Sequence, residues 1–597
     1  MSGARLRRVA LGEEPADLVV QGGTLVNVYT LETYPGGVAV ADGRIVAVGE
    51  VGYAIGPSTQ VVDAEGLYVT PGFVDAHIHP ESTSLAIREF AKTVLLHGTT
   101  TIFTDLHEIG VVAGLPGIEA VLDEAAATHL KLYLSVPSHV PFSPDIETTA
   151  GRFDSEIIAR ALDRPDAVGL SEIVSLQVLA GHEDLLRSLA IAKAKGKSLQ
   201  GHLPQLRGRE LAAVLTTGVT TDHEAKLAAD AVERLRAGLH IQLRQGSLAH
   251  GVEGALGGIL ASGVDTNRLS IVTDDLDTPD AVTTGHLDHG LRVALREGAR
   301  FVDAIQWVTL NAARSFGLDH EIGGLSAGKV ADIVLTTGPE DFQVVSVVAK
   351  GQLVVDQGAF VTSYPLAEHD RVLLGTTGAA RPVTPDQLAL RVDGGAAGVS
   401  GVSGVSGVRC RAISIAPGFA KRDGVEVTLR VADGVVQADV SQDVLYIVQV
   451  ERYGINGNIG RGFITGFGLG SGAIASSVAH DNHNVVAVGA SLDDVAAAVN
   501  RVLELGGGQV VVVDGRVVAE IAYPVAGLLS DLPALEVASV KRELNRVVHG
   551  LGSQIELPFM FLSFVPLAAG PGYSITDHGF VDSTRQEVID PVIAVVA

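Results

Sequence analysis

The sequence predicts an α/β protein built around a (β/α)8 barrel, with a small β-sandwich domain made from both flanks and an additional C-terminal α+β domain. Three observations predict this architecture: short apolar runs alternate with amphipathic stretches, polar residues end almost every run, and two similar β-rich segments flank the region. Strands that alternate with helices are typical of a parallel sheet covered by helices. The predicted boundaries are 1–68 and 320–366 for the β-sandwich, 69–319 for the barrel and 367–597 for the C-terminal domain.

The composition excludes several classes of protein. Of the 597 residues, 47% are hydrophobic and 19% are charged, which is typical of a large globular enzyme with more than one core. A formal net charge of -26 disfavours nucleic acid and anionic membranes as partners, so a small-molecule substrate is expected. Cys410 is the single cysteine, so neither an intrachain disulfide nor a sulfur cage for a metal is possible.

The sequence also carries expectations about location and assembly. No apolar run approaches the roughly 20 residues of a membrane span. Near the N-terminus, no apolar core of signal-peptide length precedes Glu13 and Glu14. A cytoplasmic location without membrane contact is therefore expected, and the large apolar content favours a homo-oligomer, a dimer or a higher assembly.

The two flanks of the barrel region share a pattern of short alternating strands. Residues 16–68 contain ADLVVQGGTLVNV, GGVAVADGRIVAVGE and TQVVDAEGLYVTPG, in which Gly-Gly, Asp-Gly and Glu-Gly pairs mark tight turns. Related runs return at 329–337 (KVADIVLTT) and 345–360 (VSVVAKGQLVVDQGAF). We expect both flanks to form one small sheet domain; two independent β caps are the alternative.

Eight candidate strands follow one another between the flanks, at 73–79, 99–105, 130–138, 167–173, 197–203, 218–224, 240–247 and 268–275. Polar side chains lie near the ends of these runs, namely His77 and His79, Asp105, Ser138, Glu172, His202, His223, Ser247 and Asp274. In a (β/α)8 barrel the chemistry lies at the C-terminal ends of the strands. Because polar residues occupy those ends in succession, the active site is predicted there.

The pattern of residues in the sequence changes after about residue 366. The repeat GVSGVSGVSGV at 398–408 predicts a mobile surface loop. A strand-like DVLYIVQVER, a glycine-rich GRGFITGFGLGSGAIASSVAHDNHN and an alternating helix–strand tail follow it. These features predict the third domain.

Six of the polar residues have the side chains of a two-metal site: His77, His79, Glu172, His202, His223 and Asp274. His77 and His79 are two residues apart, so on a strand both imidazoles project from one face towards one ion. The carboxylate of Glu172 has the two oxygens needed to bridge two ions. Such a pair of ions lowers the pKa of water and produces a hydroxide nucleophile, so a metal-dependent hydrolase is predicted.

At these residues the sequence resembles the amidohydrolase superfamily, and within it the adenine deaminases of purine salvage, over nearly the whole chain. The matching fragments of the barrel and sheet domain are PGFVDAHIHPESTS, GTTTIFTDLHEIG, GHLPQLRG, TTDHE, VTDD followed by GHLD, WVTLNAA and GGLSAGKVADIV. HxH and ADIV-type fragments are common to the superfamily and carry little information on the substrate. The fragments GFGLGSGAIASSVAHDNHN, LELGGGQVVVVDG, PVAGLLSD and LPFMFLSF discriminate better, because they are similar to a C-terminal domain particular to adenine deaminases.

The resemblance implies hydrolytic deamination of adenine to hypoxanthine and ammonia, in which a metal-bridging hydroxide attacks C6 of the base. It implies that the six residues named above bind two divalent metals, with Glu172 in the bridging place that a modified lysine holds in many relatives. Manganese or iron is expected, and zinc also suits imidazole and carboxylate donors. Asp274 would carry protons from hydroxide to the departing ammonia, and Glu108 would contact the purine ring and donate to N1.

The sequence departs from the family pattern in segments expected to shape the substrate site. The family's Asp-Pro-His-Glu segment reads Asp105-Leu106-His107-Glu108 here, and the loss of the proline is expected to re-aim the loop. His139 stands where cysteine is common, and Tyr453 stands where histidine is usual. The residues expected to contact the substrate are Asp105, His107, Ser138, His139 and Asp275.

Several alternatives stay open at this point. The substrate is adenine itself, an N6-substituted adenine, another amino-heterocycle or a cyclic amide. A non-catalytic scaffold is a second class, although every metal-ligand position holds a competent residue. Asp275 directly follows Asp274, and one sequence does not decide which of them faces the metals. His480 and His483 would bind a separate ion, form a hydrogen-bonding network or line the active site.

Overall fold

A computed structural model describes residues 2–365, 368–378, 381–392, 407–415 and 422–596. Residues 398–406 of the predicted loop at 398–408 lie outside the described residues. Over the described ranges, no helix combines the length and the apolar character needed to cross a membrane.

The N-terminal flank supplies helix α1 (Ser2–Ala10) and five strands, which are β1 (Leu18–Asn27), β2 (Glu32–Ala41), β3 (Arg44–Gly49), β4 (Gln60–Asp63) and β5 (Tyr68–Pro71). Strand β2 pairs antiparallel with β1 on one side and with β3 on the other. The turn between β2 and β3 holds Asp42 and Gly43 at φ 48° and 73°. A two-residue hairpin turn requires this left-handed pair, which is why the Asp-Gly signal predicts the hairpin.

The barrel consists of eight strands, which are β6 (Phe73–Asp75), β7 (Thr99–Thr104), β8 (Lys131–Pro137), β9 (Ala167–Val174), β10 (Ser198–His202), β11 (Thr221–Asp222), β12 (His240–Arg244) and β13 (Leu269–Val272). Neighbours in the chain are neighbours in the sheet, and each pair is parallel. The predicted (β/α)8 barrel is therefore confirmed.

Helices surround the barrel and cover its apolar surface. They are α2 (Ile87–Leu96), α3 (His107–Ala126), α4 (Ser155–Ala161), α5 (Ser175–Ala180), α6 (Glu183–Ala194), α7 (Gly208–Leu215), α8 (Ala228–Arg236), α9 (Gly251–Ala261), α10 (Thr278–Thr283), α11 (Leu287–Arg296), α12 (Phe301–Trp307) and α13 (Leu310–Ser315). Strand residues such as Ile102, Leu134 and Ile241 are fully buried in the same core as helix residues such as Phe90 and Leu291. This burial explains the almost uninterrupted apolar runs of the strands.

The first and last barrel strands are joined just beyond their C-terminal ends. Ile78 and Asp274 form a parallel bridge. The backbone N–H of His79 donates to the carbonyl of Asp274 at 3.0 Å, and the N–H of Asp274 donates to the carbonyl of His77 at 3.0 Å. The backbone bonds that close the barrel therefore also bring three of the predicted metal ligands together.

The second flank adds strands β14 (Ile333–Thr336), β15 (Val344–Ala349), β16 (Gln352–Asp356) and β17 (Ala359–Phe360). Strand β14 pairs antiparallel with β5, with Ile333 opposite Pro71. This pairing joins the two flanks into one nine-stranded sheet, in the order β17-β16-β15-β14-β5-β1-β2-β3 with β4 beside β1. The small domain built from both flanks is thus present, and the two β-rich segments are not independent caps.

The C-terminal domain is an α+β unit, as predicted. Its strands are β18 (Gly407–Ile415), β19 (Arg422–Ala432), β20 (Val435–Val436), β21 (Val444–Val450), β22 (Ile459–Thr465), β23 (Ala473–Ser476), β24 (Val485–Gly489), β25 (Gly508–Val513), β26 (Arg516–Ala522), β27 (Tyr573–Thr576), β28 (Gly579–Asp582), β29 (Glu587–Val588) and β30 (Val592–Val596). Its helices are α14 (Pro385–Leu388), α15 (Leu492–Glu504), α16 (Ala534–Gly550) and α17 (Pro558–Ser563). Strands β18 to β26, with β30 beside β18, form a ten-stranded sheet, and β27 to β29 form a small one.

The C-terminal domain packs on the mouth of the barrel. Lys541 of α16 forms a buried ion pair with Asp277 and lies 3.2 Å from the hydroxyl of Ser84, to which its ammonium group donates. On another side of the mouth, the backbone N–H of Thr148 donates to Asp577 at 3.0 Å, and the amide of Asn484 donates to the Thr148 carbonyl at 3.0 Å. These polar contacts place the segment between β23 and β24 above the barrel strands' ends.

A buried carboxyl group at this interface is expected to make stability depend on pH. Burial, together with the nearby Asp481, raises the pKa of Glu147 from 4.5 to about 8. The stability contributed by the protonated group is full below pH 4.5 and is lost as the pH rises through 8. Glu147→Gln, which cannot ionise, should therefore remove a fall of about 1.4 kcal/mol per pH unit in the free energy of unfolding across this window.

Denaturant unfolding at pH 5, 7 and 9 measures this difference. Glu156→Gln is the matched control, because Glu156 is exposed on nearby α4 and its replacement should leave the slope of the parent unchanged. Equal slopes for the parent and Glu147→Gln would contradict the prediction.

Candidate metal centre and active site

The structure brings the six predicted metal ligands to one point at the barrel mouth. His77 and His79 follow β6, Glu172 lies in β9, His202 ends β10, His223 directly follows β11, and Asp274 lies two residues after the end of β13. His77 Nε2 lies 3.2 Å from Asp274 Oδ1 and 3.3 Å from Glu172 Oε1. His79 Nε2 lies 3.4 Å from the same Asp274 oxygen and 4.0 Å from Glu172 Oε1. These four side chains form the first half of the cluster.

The second half of the cluster lies on the other side of Glu172. His202 Nδ1 is 3.0 Å from Glu172 Oε2, and His223 Nε2 is 3.5 Å from Glu172 Oε1. The two imidazole nitrogens are 3.0 Å apart. Glu172 therefore stands between the two halves of the cluster: its Oε1 atom faces His77 and His223, and its Oε2 atom faces His202.

The donor set fits two divalent cations. His77 Nε2 and Glu172 Oε1 are fully buried and have no hydrogen-bond partner among the described residues, although buried polar atoms are normally paired. Three ligand groups drawn from these six residues each have their donor atoms within 4.8 Å of one another. Imidazole nitrogen and carboxylate oxygen are the donors that manganese, iron and zinc accept.

The electrostatics of the cluster favours ionised carboxylates. Burial by itself would raise the pKa of Glu172, but His202 and His223 hold that pKa well below its usual range. Burial likewise opposes ionisation of Asp274, whereas Arg244 and His77 hold the pKa of Asp274 well below its usual range. Both carboxylates are thus negatively charged at neutral pH, as metal ligands must be.

Arg244 contacts the cluster, although no motif in the sequence points to it. Its Nη1 atom lies 2.8 Å from Asp274 Oδ2 and 2.8 Å from Glu224 Oε1, and the ion pairs are largely shielded from solvent. The predicted seventh strand reaches Ser247, whereas β12 ends at Arg244. A strand three residues shorter would have identified Arg244 as the polar residue at its C-terminal end.

The geometry distinguishes the two consecutive aspartates. Asp274 Oδ1 faces the imidazoles of His77 and His79, whereas Asp275 accepts a hydrogen bond from the Ser82 hydroxyl. Asp274 also has a positive φ of 61°, in the left-handed region that non-glycine residues rarely adopt. Of the two, only Asp274 contacts the ligand cluster over the described residues.

Several predicted substrate-binding residues support the cluster from behind. Asp105 Oδ1 lies 3.2 Å from His79 Nδ1 and 3.1 Å from His107 Nδ1, so it orients a ligand imidazole through the nitrogen opposite its metal-facing one. The Ser138 hydroxyl donates to the backbone carbonyl of Glu172 at 2.8 Å and lies 2.9 Å from His139 Nδ1. Burial lowers the pKa of His139 to about 4, so this imidazole is neutral.

Leu106, at the position of the family's proline, adopts a backbone conformation that a proline cannot. Leu106 adopts φ 50° and ψ 34°, the left-handed conformation, immediately before α3. A proline ring fixes φ near −65°, so a proline cannot occupy this conformation. A proline at position 106 would therefore require a different backbone conformation immediately before α3.

A cavity of about 670 Å³ lies over the ligand cluster, between the barrel and the C-terminal domain. Its inner wall includes the predicted residues His79, Glu172, His202, His223, Asp274, Asp275 and His107. Its outer wall is largely apolar and includes Phe142, Leu227, Leu248, Phe561, Phe564 and Leu567. Glu108, Asp105, Ser138 and His139 are not among the described residues that line the cavity. A polar floor below apolar walls suits a flat base whose reactive edge faces the cluster.

Comparisons with known proteins give a consistent assignment. Residues 68–354 match the Amidohydrolase family, and residues 421–587 match the Adenine deaminase C-terminal domain. An adenine deaminase of Moorella thermoacetica is 36% identical over 584 residues, which cover 98% of this chain and 96% of that protein. Adenine deaminase 1 of Carboxydothermus hydrogenoformans is 38% identical over 596 residues, with coverages of 97% and 96%. A solved β-aspartyl dipeptidase of Fervidobacterium islandicum aligns with a TM-score of 0.45 at 18% identity, over 58% of this chain and 98% of that one.

A parallel eight-stranded barrel with buried imidazoles and carboxylates at the C-terminal ends of its strands defines an amidohydrolase that uses divalent metal. The matched C-terminal domain and the relatives aligned over nearly the full length narrow this class. The chain belongs to the adenine deaminase family.

Proposed function

We propose that this enzyme hydrolyses adenine to hypoxanthine and ammonia. The observation that carries the proposal is the buried ligand cluster on either side of Glu172, facing a cavity closed by the family's C-terminal domain. Deamination replaces the exocyclic amino group at C6 with oxygen from water. The residues must therefore hold the base edge-on, accept a proton from water and supply protons to the ring and the leaving group.

The proposed ligands of the two divalent cations are His77, His79, Glu172, His202, His223 and Asp274. When bound there, the cations supply a Lewis acid that lowers the pKa of water and neutralises charge developing at C6. Manganese or iron is the proposed metal, and zinc also suits this set of four imidazoles and two carboxylates without sulfur. We also propose that the enzyme is cytoplasmic and forms a homo-oligomer.

Asp274 is the proposed proton carrier of the reaction. Arg244 holds its Oδ2 atom at 2.8 Å, which leaves Oδ1 directed towards the cluster and the water that must be deprotonated. An ionised carboxylate in this place accepts a proton from water and returns it to the departing amine. Glu108 is the proposed source of the proton that ring N1 requires, and His107 and Asp275 are the proposed substrate contacts from the cavity wall.

A second candidate substrate follows from the size of the cavity. A volume of about 670 Å³ with an apolar outer wall accommodates more than one unsubstituted base. An N6-alkyl adenine would place its substituent against this wall while keeping the same ring edge at the cluster. The two candidates share one mechanism and differ only in the leaving amine.

Purified full-length protein loaded with manganese tests the proposal. Adenine, N6-methyladenine, guanine, cytosine and a cyclic amide should be assayed in parallel, with hypoxanthine followed by absorbance and ammonia measured enzymatically. We expect adenine turnover that disappears on chelation and returns after two equivalents of manganese per chain are added. Lack of activity on every 6-aminopurine in the metal-loaded protein would refute the proposal.

A further inference from the structure

Glu108 is separated from the cavity by an imidazole of the C-terminal domain. The Glu108 side chain is fully buried, whereas His480 is 6% exposed and lines the cavity wall. Glu108 Oε1 lies 3.1 Å from His480 Nδ1. A proton that leaves Glu108 for a base in the cavity therefore meets His480 first.

The two oxygens of Glu108 face two imidazoles of the segment 477–484. Oε2 lies 3.8 Å from His483 Nε2, on the side opposite the His480 contact. His483 Nδ1 accepts a hydrogen bond from the backbone N–H of Ala479 at 3.1 Å, so the single proton of a neutral His483 sits on Nε2 and points at Glu108. His483 thus faces the Oε2 side of the carboxyl group without a hydrogen bond to it, and His480 is its nearer partner, on the side of the cavity.

The position of the His480 ring is fixed by packing. The ring stacks on Phe564 with centroids 4.4 Å apart and an interplanar angle of 22°. The backbone N–H of His480 donates to the carbonyl of Ser563 at 2.7 Å. Because Nδ1 faces Glu108, Nε2 lies on the opposite side of the imidazole, away from Glu108.

We propose that Glu108 and His480 form a proton relay, in which His480 of the C-terminal domain delivers to the purine ring the proton that Glu108 supplies. This inference rests on the proposed deamination and specifies the residue that touches the ring. Before the transfer, Glu108 carries a proton on Oε1 and His480 carries one on Nε2. When N1 of the purine takes the Nε2 proton, the O–H bond of Glu108 breaks and an N–H bond forms at Nδ1. Glu108 becomes a carboxylate and His480 stays neutral.

The surroundings favour the starting state of this relay. Burial, reinforced by the nearby Glu81, raises the pKa of Glu108 well above its usual range. Burial lowers the pKa of His480, so both shifts favour the uncharged forms of the two groups. Neither Glu108 oxygen has a conventional hydrogen bond within the described residues, which is unfavourable for a buried carboxylate. The titratable groups that face the pair are His79, Glu81, His107, Asp275, Asp481 and His483.

The test uses the manganese-loaded full chain with adenine as substrate. His480→Ala and Glu108→Gln should each lower kcat/KM by about 100-fold or more, the usual contribution of a positioned proton donor. The kcat/KM of the double variant should be no lower than that of the less active single variant, because the two residues act as one unit. Metal content should stay at two ions per chain. His549→Asn, in which an exposed histidine at the end of α16 is replaced, is the matched control and should keep parental activity.

Imidazole rescue separates the relay from a structural role. Free imidazole should restore activity to His480→Ala but not to the double variant, because the added ring still needs the Glu108 proton. His480→Gln, which fills more of the space, repeats the measurement in case the alanine variant folds poorly. The relay would be overturned if both His480 variants kept the parental kcat/KM or if both lost metal. It would also be overturned if the losses of the two single variants were strictly additive, or if imidazole rescued the double variant equally well.

The parent enzyme in the same assay keeps the two proposals distinguishable. Adenine turnover by the parent together with indifference to His480 overturns the relay alone. A parent inactive on adenine overturns the proposed function, and the relay with it.

Discussion

Replacing Glu172 by alanine is expected to abolish metal binding and deamination together. Glu172 offers one oxygen to His77 and His223 and the other to His202, so its removal separates the two halves of the cluster. It also leaves several buried imidazoles without their shared carboxylate. We expect kcat/KM for adenine to fall by at least about 1000-fold, because both the Lewis acid and its electrostatic stabilisation are lost.

Metal analysis of the purified variant checks the cause of this loss. Glu172→Ala should contain fewer than two ions per chain even after growth with added manganese. Glu183→Gln is the control, since Glu183 is exposed in the first turn of α6 on the outside of the barrel. An alanine variant that keeps two bound ions would exclude Glu172 as the bridging ligand.

The second large effect is expected at Asp274. Asp274→Asn keeps the shape of the side chain and one oxygen donor but removes the proton acceptor. A loss of about 10²–10⁴-fold in kcat is expected, with a smaller change in KM, because proton transfer is needed in the transition state rather than for binding. Steady-state kinetics with ammonia detection measures the two parameters separately.

The neighbouring aspartate provides the comparison for this prediction. Asp275→Asn removes the partner of the Ser82 hydroxyl but leaves the Asp274 contacts with His77 and Arg244 in place. Its effect on kcat should be clearly smaller than that of Asp274→Asn. An equal or larger effect of Asp275→Asn would show that the assignment of proton transfer to Asp274 is wrong.

Much of the barrel is predictable from local sequence because its signals are local. Buried strands such as TTTIFT and LSIV are followed by polar residues, and the strands of the structure lie almost entirely within the predicted runs. The Asp42-Gly43 turn is likewise encoded by two residues whose backbone angles few others tolerate. The domain boundaries stay predictions. The two flanks pair through β5 and β14, and the sequence of the barrel lies between these two strands in the chain.

The site is less predictable where its contacts join distant parts of the chain. The ligand positions follow from strand ends, but Arg244 was missed because an error of three residues at one strand end hid it. The depth of Glu108 behind His480 depends on contacts between residues more than 370 positions apart, which no local pattern encodes. Which side of a loop faces the cavity is decided by packing, as the contact between His480 and Phe564 illustrates.

The bridge between Ile78 and Asp274 links catalysis to the integrity of the whole cylinder. The barrel closes at the same residues that bring the imidazoles together. A cation bound there would therefore also hold the first and last strands of the barrel together. Heat resistance should consequently rise with metal loading. Evolution towards a new substrate would therefore be freer to alter the apolar outer wall than to alter this junction.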